Sequence, residues 1–164
     1  MIEIKPANAE DLVIIHQLAH ETWPSAYLKI LGQEQLDYML DKIYSLPSLQ
    51  NQATVLHHQF IILFENGLPA GFASYSPHTD GSVYHLNKIY VLPSCQGKNL
   101  GKELLNHVII QVKKTGAASL QLNVNRYNKA LHFYEKQGFK IIREEDIDIG
   151  SGYFMNDYVM ELKF

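Results

Sequence analysis

Apolar positions change period several times along the chain, and each change marks an element. Residues 2–5 alternate apolar and polar as a short strand does, and Pro6 ends it. Over 8–21, Leu12, Ile15, Leu18 and Ala19 fall at helical spacing, with Asn8 placed to cap and Pro24 expected to break the helix. Residues 33–44 repeat the pattern with Leu36, Met39, Leu40 and Ile43, and Pro47 stops it. A helix following Gln50 has no boundaries that the pattern fixes.

The period then shortens. Residues 59–64 are an apolar strand run, Asn66-Gly67-Leu68-Pro69 is a turn, and 70–76 complete a hairpin. Asp80-Gly81 marks another turn before a third strand over 83–92. Over 99–114, Leu100, Leu104, Leu105, Val108, Ile109 and Val112 share one helical face, with Gly116 closing the helix. A strand over 118–124, a helix over 128–137 ended by Gly138, and two strands over 139–149 and 153–164 finish the chain. The order β α α β β β α β α β β predicts an α/β fold with a mixed sheet flanked by helices. Its central parallel strands are where an open sheet binds its ligand.

The 164 residues fit a single domain, 1–164, and 46% hydrophobic content makes it globular. A net charge of -3 offers no basic field for nucleic acid or an anionic membrane. Cys95 is the only cysteine, which excludes an intrachain disulfide and a thiolate zinc site. His16 and His20 stand one turn apart, and His57 and His58 are adjacent, but neither pair has a third ligand at metalloenzyme spacing, so no metal is expected. With no signal-like N-terminus and no apolar run near the ~20 residues that span a bilayer, the expected setting is the cytoplasm.

The most informative segment is Val91-Leu92-Pro93-Ser94-Cys95-Gln96-Gly97-Lys98-Asn99-Leu100-Gly101-Lys102. A strand ends, small residues turn, and an amphipathic helix begins; free N–H groups at such a helix start form an anion site. Gly97 and Gly101 let backbone approach a phosphate, and Lys98 and Lys102 add positive charge. The spacing is neither that of a P-loop nor that of the G-x-G-x-x-G dinucleotide turn.

These residues resemble the GNAT superfamily of acetyl-CoA-dependent acetyltransferases. Its phosphate turn, Gln/Arg-x-x-Gly-x-Gly/Ala, matches Gln96 to Gly101 with one departure: Asn99 stands where the family prefers glycine, and Asn best tolerates a left-handed backbone. A second block, Asn125-Arg126-Tyr127-Asn128-Lys129-Ala130-Leu131-His132-Phe133-Tyr134 followed by Gly138-Phe139, is similar to the family's Asn…Ala-x-x-Phe-Tyr-x-x-x-Gly-Phe helix.

The resemblance implies that acetyl-CoA lies along the backbone of Ile89, Tyr90 and Val91, with its pyrophosphate on Gln96, Gly97, Lys98, Asn99, Leu100, Gly101 and Lys102. Asn128 or Asn125 would reach the cofactor arm. Tyr134 would face the thioester sulfur as proton donor. His85 falls where some members place a glutamate base, although many relay the proton through water. Strand alternation puts Val83, His85, Asn87 and Ile89 on one face. Trp23, Tyr27 and Asp157 are the substrate-side candidates, since aromatic rings and a carboxylate hold cationic amines. The layout is also similar to the bacterial polyamine N-acetyltransferases, in the segment from Glu21 to Tyr27 and in Tyr90. The implied activity is direct acetyl transfer to a primary amine, a small amine or polyamine by preference or else a peptide or protein amine, with a homodimer as the expected partner state where the chain is not a monomer. The alternative is an acyl-CoA-binding module with weak catalysis, on the grounds of Asn99 and the missing strand glutamate.

Overall fold

The computed structural model describes residues 1–164. After β1 (Ile2–Pro6) come α1 (Leu12–Leu31), α2 (Gln33–Tyr44) and α3 (Leu46–Thr54). The hairpin β2 (Gln59–Glu65) and β3 (Leu68–Pro77) leads to β4 (Val83–Val91), α4 (Leu100–Lys114) and β5 (Ser119–Asn125). The chain ends with α5 (Ala130–Lys136), β6 (Lys140–Gly150) and β7 (Tyr153–Lys163). All seven strands form one mixed sheet in the order β1-β2-β3-β4-β5-β7-β6, in which only β4 and β5 run parallel.

Each face of the sheet carries its own core. Leu104, Leu105, Val108 and Val112 of α4 pack on one face with Tyr84, Leu86, Leu120 and Leu122. On the other, Ile15, Leu18 and Trp23 of α1 and Leu36 and Tyr44 of α2 cover Ile62 and Phe72.

Three local expectations change. Pro24 does not end α1, which continues to Leu31. Proline removes one backbone hydrogen bond and costs about 3 kcal/mol inside a helix. Its neighbours Trp23 and Tyr27 are buried, and aromatic rings burying ~150–250 Å² each at ~25 cal/mol per Å² outweigh that loss. Asn8 caps a short 3-10 turn, Ala9–Asp11, that leads into α1: its Oδ1 accepts from Glu10 N, and the Asp11 carboxylate accepts from Asn8 N, both at 3.0 Å. Pro47 belongs to the first turn of α3, which starts before Gln50; Ser45 Oγ caps it by accepting from Ser48 N at 3.3 Å.

The consequential change is in β4. Ser74 faces Lys88 and Tyr75 faces Leu86, so Asn87 is an extra residue, a β-bulge. The bulge reverses the parity of every side chain after it. Ile89 and Val91 therefore join Tyr84 and Leu86 on the α4 face. His85 is on the opposite face, and beyond the bulge Lys88 and Tyr90 point the same way, toward the helices α1–α3. Simple alternation had put His85 and Ile89 together; the bulge separates them.

Candidate active site

Pairing between β4 and β5 stops early. The parallel ladder runs from Val83–Ser119 to Leu86–Leu122, while β4 continues to Val91 and β5 to Asn125. Beyond the bulge the two strands part, and a groove of about 940 Å³ opens between them, with α1 and α5 as its other walls. Ile89, Tyr90 and Val91 line it with backbone that β5 no longer pairs.

The turn after β4 closes one end. Gly97 has φ of +85° and Asn99 a left-handed φ of +62°, so the asparagine takes the conformation that its position needs. None of the backbone N–H groups from Gly97 to Lys102 donates to another backbone group; the first to do so is Glu103 N, which bonds Asn99 O at 3.1 Å. Six consecutive free donors at the positive end of a helix dipole suit a pyrophosphate. Gln96, Gly97, Asn99, Leu100, Gly101 and Lys102 all line the groove. Lys98 does not, because its ammonium is held by Glu65 Oε1 at 3.0 Å.

Lys29, Lys88, Lys102, Lys129 and Lys136 border the groove and no carboxylate does, so the site favours a polyanion. Lys29, Lys129 and Lys136 carry no charge-spacing signal in the sequence; only the folded walls bring them together. Gln137, also on the groove wall, was equally hidden, whereas Phe133 stands in the second motif block.

Tyr134 is buried on the first turns of α5 and lines the groove. Burial, then the neighbouring Tyr27, pushes its phenol well above the ordinary tyrosine range, so it stays protonated at any working pH. The Tyr27 and Tyr90 hydroxyls bond to each other at 2.9 Å and tie α1 to β4 at the groove floor. Asn128 lines the groove, and its Oδ1 accepts from Ala130 N at 2.9 Å at the start of α5. Asn125 is turned inward and accepts from Tyr127 N at 3.0 Å, so of the two asparagines Asn128 is the one in the groove.

Other candidates stand behind the walls. Trp23 is core: its Nε1 donates to Tyr44 Oη at 3.1 Å, and its ring packs on Tyr27 and Tyr90, which face the groove. His85 stacks on His78 at 5.6 Å, outside the groove lining. Burial, then His78, lowers it to about 4, which keeps the imidazole neutral at pH 7. Asp157 is buried beside Asn123, which does line the groove. His16 and His20 each direct Nδ1 at a backbone carbonyl, of Tyr44 and His16 respectively, and no group of three metal-ligating side chains is present. No helix is long and apolar enough to cross a membrane.

The family model for the acetyltransferase (GNAT) family matches residues 13–139. A spermidine N(1)-acetyltransferase of Thermoplasma acidophilum is 30% identical over 99% of this chain and 98% of its own length. The [ribosomal protein bS18]-alanine N-acetyltransferase of Haemophilus influenzae is 37% identical, over 56% of this chain and 58% of its own. Among solved structures, the PaiA N-acetyltransferase of T. acidophilum in complex with coenzyme A superposes with a TM-score of 0.83 at 28% identity, covering 100% of this chain and 99% of that one.

Proposed function

The chain belongs to the GNAT family of N-acetyltransferases, and from that premise we propose that it acetylates a small primary amine, a polyamine by preference. The observation that carries this reading is the parting of β4 and β5 beside six free N–H donors, with the Tyr134 hydroxyl on the groove wall. The full-length similarity to a spermidine acetyltransferase supports the preference for polyamines.

Acetyl-CoA, when bound, supplies the thioester carbonyl that a neutral amine attacks. The free backbone of residues 97–102 would hold its pyrophosphate, and the unpaired edge of Ile89, Tyr90 and Val91 its amide-bearing arm. Lys102 and Lys129 add charge to that hold, and Asn128 fixes the corner between β5 and α5. Tyr134, always protonated, donates its O–H to the departing sulfur. His85 is too weak a base at about 4 to keep a proton taken from an ammonium. The amine's proton therefore leaves through water.

A weakly catalytic acyl-CoA-binding module has two grounds, Asn99 and the missing strand glutamate; Asn99 adopts the left-handed backbone and leaves the cradle intact, so only the second still favours it. Tyr134→Phe tests the mechanism. Turnover should fall at least about 30-fold while coenzyme A affinity stays within about 3-fold, since only a hydroxyl used after binding is removed. Unchanged turnover would take Tyr134 out of the mechanism.

A further inference from the structure

The chain's charge is not evenly spread. The hairpin β6–β7 holds Glu144, Glu145, Asp146, Asp148, Asp157 and Glu161 against Lys140, Arg143 and Lys163. Its surplus of acid equals the net charge of the whole chain, -3, so the remainder is balanced.

Within this hairpin one arrangement is unsatisfied. Glu145 and Asp157 lie directly opposite each other on neighbouring antiparallel strands, where like charges repel. A single neutral donor bridges them: Asn123 Nδ2 stands 3.5 Å from Glu145 Oε2 and 3.4 Å from Asp157 Oδ2, both long contacts. Glu145 also has Arg143 at 2.8 Å. Asp157 has no cation within salt-bridge distance, because Arg126 is committed to Asp146 and Glu144. Asp157 is 5% exposed, and its Oδ1 is buried without any hydrogen-bond partner.

A buried carboxylate left in this state is costly unless a cation meets it. Burial, opposed by Asn123 and reinforced by Glu145, raises the Asp157 carboxyl above its usual range. Arg126, though paired elsewhere, opposes that rise from a distance. Two of the groups that feel Asp157, Asn123 by hydrogen bond and Tyr27 through its charge, line the groove.

We propose that Asp157 and Glu145, bridged by Asn123, bind the non-reacting ammonium of a diamine or polyamine whose other, neutral amine is presented to Tyr134. The proposal rests on the acetyl-transfer reading above for the position of the reacting end. The site selects substrates that carry a second cation at a short methylene distance. A charge-assisted bond to each carboxylate replaces the repulsion between them. Lys29, Lys102, Lys129 and Lys136 border the groove that takes the polyanion, so the two charged ligands are sorted to different parts of the site.

Calorimetry with spermidine, butylamine and magnesium chloride as probes tests this on the wild type, Asp157→Asn and Glu145→Gln. Spermidine should bind the wild type at least about 30-fold more tightly than butylamine. Asp157→Asn should remove most of that difference, and Glu145→Gln about 5-fold, since Glu145 is already paired. In turnover the loss should appear in KM for spermidine rather than in kcat. Asp157→Asn should melt no lower than the wild type at pH 7, which separates a lost subsite from a damaged fold. Equal binding of spermidine and butylamine, or spermidine binding unaffected by Asp157→Asn, overturns the proposal. So does magnesium binding that depends on Asp157 and matches spermidine in affinity. Spermidine that binds through Asp157 but is never acetylated would leave the subsite standing and remove the acetyl-transfer reading instead.

Discussion

Burial holds His85 near 4 and His58 also near 4, both well below the free imidazole value of 6.5. Because the folded-state values are depressed, the unfolded chain binds more protons between 4 and 6.5. The stability these groups contribute is present above pH 6.5 and lost as pH falls toward 4. His85 alone accounts for on the order of 2–3 kcal/mol by pH 4.5. Urea denaturation at pH 7 and 4.5 should show His85→Gln losing less stability than the wild type over that interval. Equal losses would mean that His85 is solvated, and would reopen its role as base. Residue placement was legible where a motif carries it. Tyr134 and Asn99 fall in fixed frames, so their places on the groove and the turn followed from spacing. Lys98 and Trp23 did not, because what removes them from the site is a remote partner: Glu65 for the lysine and Tyr44 for the indole.

At the scale of elements, the groove is made by two irregularities that act together. The Asn87 bulge rotates the end of β4 so that Tyr90 faces α1, and the ladder to β5 ends at Leu86. The hydrophobic pattern located both strands and α4 to within a residue or two, since periodicity reports which positions are buried. It did not report the bulge, because the change of parity falls at Asn87-Lys88, two adjacent polar residues whose facing the apolar spacing does not resolve. Nor could it weigh Pro24 against packing that comes from α2. Gly101 tests the turn. A Cβ there would meet Phe133 Cζ at 3.8 Å and Val91 Cγ2 at 4.0 Å, ordinary contacts, so Gly101→Ala should bind coenzyme A within about 3-fold of the wild type. Gly101→Glu should weaken it at least about 30-fold, because its carboxylate enters the phosphate cradle. Wild-type affinity in the glutamate variant would place the pyrophosphate elsewhere.

The molecule as a whole is electrically two-sided. Lysines line the groove between β4 and β5, and the acid surplus sits on the β6–β7 hairpin beside it. For the proposed transfer from a polyanionic donor to a cationic acceptor, this separation keeps either ligand from occupying the other's place. Composition concealed it, for a net charge of -3 averages a balanced body with an acidic hairpin. Acetyl transfer itself is tested by mass spectrometry of spermidine incubated with acetyl-CoA and the purified protein, with the released thiol counted in parallel. A monoacetylated spermidine should form in step with free thiol. Acetyl-CoA that binds but loses its acetyl group to no amine in a panel of polyamines, monoamines and peptide N-termini would contradict it.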